Sequence, residues 1–171
     1  MSEKRSAGLL LFRRTPDGLP EVLIGHMGGP FWSSRSEAAW SIPKGEYEPE
    51  EAPEVAARRE FEEELGLPLP EGEWWALGEA RQRNGKFVTV WAVEADLDPE
   101  LVVPGTFTME WPRGSGVLRE FPEIDRVGWF ALPEALPLLV AGQRVFLERL
   151  AERLDGAAGS AGAPGAPAPG G

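Results

Sequence analysis

Residues 45–67 read GEYEPEEAPEVAARREFEEELGL. This stretch predicts a helix from Pro53 to Leu65. Proline suits the first turn of a helix, the interior residues favour helix, and Gly66 followed by Pro68 marks the end. It is the clearest helix in the chain, and the rest of the fold is read outward from it.

The acidic residues of this helix are spaced so that three of them share a face. At 100° per residue, Glu60, Glu63 and Glu64 fall within about 100° of arc, while Phe61 and Leu65 form a separate apolar stripe that can anchor the helix to a sheet. Crowded carboxylates repel one another, and a hard divalent cation with oxygen ligands relieves that repulsion. The spacing therefore favours a metal site, with a solvated acidic face as the alternative.

Alternating apolar segments on both sides of the helix predict strands. Turn residues at Thr15–Pro20 predict an opening hairpin, and Asn84-Gly85 predicts a second one. Strands in pairs around a single acidic helix, followed by two helical segments, indicate an α+β fold. The predicted strands cover residues 7–12, 21–25, 40–42, 73–81, 86–94, 106–111 and 126–130, and the closing helices cover 132–140 and 143–154.

Composition defines one domain and excludes several functional classes. Residues 1–154 are predicted to form the domain, and residues 155–171, which hold only Gly, Ala, Ser and Pro after Asp155, are predicted to be a disordered tail. The absence of cysteine excludes disulfides and thiolate metal sites. The net charge of −11 argues against a nucleic-acid polymer as partner. No apolar run reaches the roughly 20 residues of a membrane helix, so a cytoplasmic protein is expected.

Negative charge is concentrated beside the predicted metal site. Residues 50–64 hold seven Glu and two Arg, a local net charge of −5.

The quoted stretch resembles the Nudix signature, which is Gly, five residues, Glu, seven residues, then Arg-Glu-apolar-any-Glu-Glu-any-Gly-apolar. Every fixed position matches: Gly45, Glu51, Arg59, Glu60, Phe61, Glu63, Glu64, Gly66 and Leu67.

The resemblance implies a Nudix-type α/β/α sandwich with a mixed sheet and a hydrolase that cleaves phosphoanhydrides with Mg²⁺ or Mn²⁺. It implies Glu60, Glu63 and Glu64 as metal ligands and catalytic residues, with the Gly45 carbonyl as a further ligand.

Other positions of the signature would support these ligands. The resemblance implies that Arg59 fixes the carboxylates through charge-assisted hydrogen bonds and belongs to the catalytic set, with Glu51 as its partner. Gly66 would end the helix.

This interpretation gives two candidates for the general base. It is either one of the helix carboxylates or a Glu outside the signature. Glu110, in the predicted strand 106–111, is the preferred outside residue, although an exposed strand Glu explains it equally well. Glu120 and Glu123 are weaker because acids in loops need no special explanation.

Substrate contacts are predicted upstream of the helix. Lys44 precedes Gly45 and can meet a phosphate as a point charge, with a solvated loop lysine as the alternative. Phe31 and Trp32 lie in a polar loop and are predicted to stack on a base, with core packing as the alternative. His26 is interpreted as structural.

The run from Trp40 to Glu46 resembles the branches of the family that act on nucleoside triphosphates, dinucleoside polyphosphates or diphosphoinositol polyphosphates. The resemblance implies a nucleoside triphosphate or a dinucleoside polyphosphate as the favoured substrate. ADP-ribose or a nucleotide sugar is the alternative, and a non-catalytic nucleotide sensor is a third interpretation. The partner is a small nucleotide, and the protein is expected to be a monomer or homodimer.

Overall fold

The computed structural model describes residues 4–162. The strands are β1 (Arg5–Arg14), β2 (Pro20–Met27), β3 (Trp40–Ser41), β4 (Lys44–Tyr47), β5 (Trp74–Arg81), β6 (Phe87–Glu94), β7 (Thr106–Glu110), β8 (Leu118–Pro122) and β9 (Ile124–Ala131). The α-helices are α1 (Pro53–Leu65), α2 (Leu132–Leu138) and α3 (Arg144–Gly162), with 3₁₀ turns at Pro99–Leu101 and Ala141–Gln143.

A mixed sheet of seven strands forms the middle layer. Its main path runs β3-β2-β1-β6-β5, with β1 and β6 parallel and β4 and β9 joined to β1 and β2. Strand β1 divides between two antiparallel partners. Residues 5–8 pair with β4, and residues 12–14 pair with β2. This division directs the chain that follows β3 toward the start of β1, where α1 can begin beside it.

The alternation of side chains along β1 builds two cores, one on each face of the sheet. Leu10 and Phe12 belong to the core under α2 and α3. Ala7, Leu9 and Leu11 belong to the core under α1. The predicted α+β sandwich is therefore confirmed, with helices on both faces of a mixed sheet.

Helix α1 matches its prediction at both ends. Its apolar stripe, Phe61 and Leu65, is fully buried together with Ala56 and Ala57. Gly66 takes φ 67°, and its N–H donates to the Glu62 carbonyl at 2.9 Å. The acidic face is left free because the buried stripe fixes the rotation of the helix.

Two strands were not predicted from the sequence. Strand β4 contains the start of the acidic signature, whose polar residues lack a strand pattern. Strand β8 pairs with β7 in a separate two-stranded hairpin, which stands outside the main sheet. None of the β8 residues is buried, so its sequence lacks the alternation of apolar and polar residues that predicts a strand.

The closing helices differ in extent from their predictions. Helix α2 ends at Leu138, and α3 continues to Gly162, past the domain boundary predicted at residue 154. The remainder of the predicted tail, residues 163–171, lies outside the described residues. No helix in the described part of the chain is both long enough and apolar enough to cross a membrane.

Candidate functional site

A cavity of about 330 Å³ opens between the free face of α1 and the turn that joins β5 to β6. One wall carries acids from α1 and from the residue before β9. The other carries amide and ammonium groups. The lining residues are Ser6, Lys44, Gly45, Glu46, Glu60, Glu64, Gln82, Asn84, Lys86, Val88 and Glu123.

Gly45 lies directly against the acidic wall. A Cβ atom at Gly45 would overlap the carboxylate of Glu60. Any other residue would displace that carboxylate or the backbone of β4, so the signature glycine is required here by close approach. The predicted role of its carbonyl as a metal ligand stays a prediction.

Arg59 holds the carboxylates from outside the cavity. Its Nε and Nη2 donate to the two oxygens of Glu51, each at 2.8 Å, in a bidentate pair. Its Nη1 donates to Glu60 at 2.6 Å and to Glu63 at 3.3 Å. The Glu51 carboxylate raises the pKa of Arg59, and Arg59 in turn lowers the pKa of Glu51.

Glu64 is the most strongly perturbed acid of the cavity. Burial raises its pKa to about 8, against the opposing charge of Lys44, and the charges of Glu123 and Glu60 reinforce the rise. One carboxylate oxygen accepts the backbone N–H of Lys44 at 3.3 Å. Burial also raises the pKa of Glu60, with Arg59 opposing it.

Glu123 completes the acidic wall, although sequence reasoning ranked it below Glu110. Backbone hydrogen bonds fix its place. Its N–H donates to the Gly105 carbonyl at 2.8 Å, and its carbonyl accepts from Gly28 at 3.0 Å. Gly105 in turn donates to the Glu64 carbonyl at 3.4 Å. Burial raises the pKa of Glu123, and the charges of Glu60 and Glu63 add to this effect.

The opposite wall comes from the β5–β6 turn and from β4. The Gln82 side chain donates to the Gly142 carbonyl at 3.0 Å, and the Asn84 side chain accepts from the Lys86 N–H at 3.0 Å. The Lys86 ammonium donates to Glu46 at 2.7 Å. These groups add hydrogen-bond donors to the cavity lining, and Lys44 lies beside the carboxylates, where its backbone N–H donates to Glu64.

Two of the four carboxylates predicted to be catalytic, Glu63 and Glu110, do not line the cavity. The Glu63 side chain is 60% exposed and pairs with Arg59. Glu110 lies at the end of β7, where its carboxylate accepts the N–H groups of Gly114 and Gly116 at 3.1 and 2.7 Å. The prediction that Glu110 supplies the outside acid of the site is therefore not supported by its position.

The structure separates the two predicted stacking residues. Trp32 packs against the core under α2 and α3, with the Arg35 guanidinium 5.7 Å from its ring centroid. Phe31 is 50% exposed and meets Trp111 edge to face, with ring centroids 5.5 Å apart. His26 is buried, with Nδ1 2.8 Å from Asp125 and Nε2 2.5 Å from the Arg35 carbonyl, as a structural residue would be.

The chemistry of the acidic wall fits a hard divalent cation. Three carboxylates whose pKa values are raised by burial and by mutual repulsion share one wall, and oxygen donors of this kind suit Mg²⁺ or Mn²⁺. Among residues 4–162, no three His, Asp or Glu side chains already converge as a ligand cluster. Glu63 is paired with Arg59, so the predicted ligation by Glu63 would require its side chain to leave that pair and turn inward.

Solved structures share this fold. An Ap4A hydrolase from C. elegans, in a binary complex, has a TM-score of 0.62 and 21% identity over 90% of this chain and 98% of that chain. The NUDIX domain of Shewanella oneidensis NrtR, solved with ADP ribose, has a TM-score of 0.57 and 16% identity over 90% of each chain.

A curated relative matches over a shorter segment. The chain is 44% identical over 62 residues to a Mycobacterium tuberculosis protein named "Putative 8-oxo-dGTP diphosphatase 3". This segment covers 36% of the chain and spans about a quarter of that relative, 27% of its length. The family model described as NUDIX domain matches residues 3–150, and the chain therefore belongs to the NUDIX family.

Proposed function

We propose that the chain is a divalent-metal-dependent pyrophosphohydrolase that cleaves a phosphoanhydride of a nucleoside triphosphate or dinucleoside polyphosphate. The observation that carries the proposal is the cavity itself, whose lining brings Glu60, Glu64 and Glu123 together with Lys44 and Lys86. Acids that attract cations, in one cavity with donors that bind phosphate, match the charge pattern of a metal–pyrophosphate complex.

The metal would be held by Glu60, Glu63 and Glu64 with the Gly45 carbonyl, and Glu123 lies where it can add to this set. A bound Mg²⁺ or Mn²⁺ supplies Lewis acidity, which activates water and offsets negative charge on the phosphate oxygens. Arg59 fixes the position of Glu60 through the hydrogen bond at 2.6 Å, and its bidentate pair with Glu51 fixes Arg59.

The proton of the attacking water needs an acceptor beside the metal ligands. Glu123 is proposed for this role because it faces the α1 acids and because burial already raises its pKa toward the range of an effective general base. It replaces Glu110, whose carboxylate is occupied by two backbone N–H groups.

The polar wall would bind the leaving phosphates. Lys44 and Lys86 offer ammonium groups, and Gln82 and Asn84 offer side-chain amides. These groups neutralise charge without contributing a base contact, so they fit any substrate with at least two adjacent phosphates. ADP-ribose or a nucleotide sugar is therefore the second candidate class, and it gains support from the ADP-ribose-bound NrtR domain with the same fold.

A hydrolysis panel tests this proposal. Purified protein is assayed with GTP, ATP, diadenosine tetraphosphate, ADP-ribose and a diphosphoinositol polyphosphate, with Mg²⁺, with Mn²⁺ and with EDTA. We expect metal-dependent cleavage of nucleoside polyphosphates, a kcat loss of at least about 100-fold in Glu60→Gln and Glu123→Gln, and full activity in the surface control Glu148→Gln.

Three results would contradict the proposal. Cleavage that persists in EDTA would show that the reaction does not need a divalent metal. Full activity in Glu60→Gln would show that the acidic wall is not needed for catalysis. Tight nucleotide binding with no cleavage of any substrate in the panel would establish a sensor domain.

A further inference from the structure

A cluster of aromatic and cationic side chains lies at the tip of the β7–β8 hairpin and has no role in the reaction described above. Phe31, from the loop after β2, meets Trp111 edge to face at 5.5 Å. The Arg113 guanidinium lies 5.7 Å from the Phe31 ring centroid. Phe31 is half exposed and Arg113 is exposed, so the cluster is open to solvent.

The hairpin is built rigidly enough to present these side chains. Glu110 accepts two N–H groups from the tip, those of Gly114 and Gly116, which fixes the loop that carries Arg113. Lower on the hairpin, the Thr106 hydroxyl donates to Glu120 at 2.9 Å. An aromatic surface held in place loses little side-chain entropy when a ligand stacks on it.

The cluster is tied to the cavity through the backbone. The Gly28 N–H donates to the Glu123 carbonyl, and Phe31 is the third residue after Gly28. Three residues reach at most about 11 Å, so the Phe31 backbone lies within that distance of Gly28. The hydrogen bond that positions Glu123 therefore also holds the loop that carries Phe31.

We propose that Phe31, Trp111 and Arg113 form the base subsite of the substrate and that its occupant is a purine. This inference rests on the proposed function. A purine has a flat π-surface that stacks on exposed aromatic side chains. The position of Arg113 further favours guanine, whose O6 and N7 atoms are two adjacent acceptors for a guanidinium, whereas adenine offers one acceptor and one donor there.

Titration calorimetry in Mg²⁺ tests the subsite without turnover. The probes are α,β-methylene-GDP, α,β-methylene-ADP and methylenediphosphonate, which lacks a nucleoside. We expect Trp111→Ala and Phe31→Ala to weaken binding of both nucleotide analogues about 10-fold, in the range of one lost base stack, and to leave methylenediphosphonate binding unchanged. Arg113→Ala is expected to reduce the preference for the guanine analogue over the adenine analogue.

Leu118→Ala is the matched control, because Leu118 is 71% exposed on the same hairpin and has no part in the cluster. Unchanged nucleotide affinity in Trp111→Ala would overturn the subsite, and so would an equal loss for methylenediphosphonate, since that would indicate displacement of the acidic wall. A wild-type dimer that Trp111→Ala converts to a monomer, with nucleotide affinity intact, would assign the cluster to self-association instead. Failure of the proposed function is recognised separately, as a lack of metal-dependent hydrolysis in the substrate panel.

Discussion

The buried carboxylate of Glu64 lowers the stability of the folded protein as pH rises. Its carboxylate is withdrawn from solvent at the end of α1, and burial raises its pKa to about 8 from an ordinary value of 4.5. Between these two pH values the folded protein binds more protons than the unfolded chain, so this residue makes the protein less stable as pH rises through that range. The negative charge is therefore retained for binding at a cost to folding.

The substitution Glu64→Gln is expected to stabilise the metal-free protein while abolishing hydrolysis. In EDTA, the gain over wild type is near zero at pH 4.5 and grows to about 2–4 kcal/mol at pH 8, since one pKa unit corresponds to about 1.4 kcal/mol. Urea unfolding of both proteins between pH 5 and 9 measures it. A difference that stays constant with pH would show that Glu64 is not the group that titrates.

Arg59 is proposed to act on the reaction through Glu60, to which it donates a hydrogen bond. The substitution Arg59→Lys removes the bidentate pair with Glu51 and releases Glu60, and we expect metal affinity or activity to fall about 10- to 100-fold. The neighbouring Arg58→Lys is the control, since Arg58 lies over the Trp74 ring and makes no contact with the cavity acids. Equal losses in both variants would point to helix stability as the cause.

The acids of α1 could be predicted from sequence because a local period places them on one face. Glu123 could not be distinguished from other loop acids, because backbone hydrogen bonds to Gly105 and Gly28 determine its place, and such long-range bonds leave no local pattern. Glu110 had the strand context that suggested a site residue, yet its partners are amides of its own turn.

Strand β5 lies at the end of the main path of the sheet, where unpaired backbone groups invite other strands. Arg149 of α3 donates to the carbonyls of Leu77 and Glu79, each at 3.0 Å, and Arg153 donates to the Ala76 carbonyl at 3.0 Å. Helix α3 thus covers the strand edge with two side chains, and it is also held to the sheet by them.

Removal of both arginines is expected to weaken that edge. Arg149→Ala with Arg153→Ala should lower the free energy of unfolding by about 1–2 kcal/mol and increase self-association at high protein concentration. Urea unfolding and light scattering measure the two effects, with Glu148→Ala on the same helix as control. If the double variant were as stable and as monodisperse as the control, hydrogen bonds from water to these carbonyls would be as effective as those from the two arginines.

A buried side chain connects the 3₁₀ turn before α3 to β3 and the residue that follows it. The Gln143 amide accepts the Ile42 N–H at 2.8 Å and donates to the Ser41 hydroxyl at 3.0 Å. Gln143→Leu leaves a buried N–H without a partner, so we expect a loss of about 1–3 kcal/mol in urea unfolding. Gln143→Glu, which keeps the acceptor, should lose less, and the reverse order would contradict this account.

Elements whose apolar residues recur at the spacing of a helix or a strand could be predicted from the sequence, as the core strands and α1 show. Strand β4 could not, because its polar residues pair with β1 only once the whole sheet has formed. The hairpin partner β8 was missed for a related reason, since its residues are exposed or half exposed and lack a buried face.

The whole molecule carries a net charge of −11, with a local excess around α1. A divalent cation that binds the folded state alone raises stability by mass action, about 2.7 kcal/mol at 100 times its Kd. We expect Mg²⁺ to raise the Tm of wild type by several degrees more than NaCl at matched ionic strength. The double variant Glu60→Gln with Glu64→Gln should lose this difference, and an equal response in both proteins would indicate screening alone.

The hairpin of β7 and β8 is closed at its root by the hydrogen bond from Glu123 to Gly105, at 2.8 Å. Everything between these two residues can therefore change in length or composition while Glu123 keeps its position. Such an arrangement separates what can evolve from what must stay constant. With the base subsite proposed on this hairpin, a hairpin transplanted from a relative is expected to carry a new substrate preference onto an unaltered reaction, which makes residues 106–122 a natural unit for recombination and for enzyme engineering.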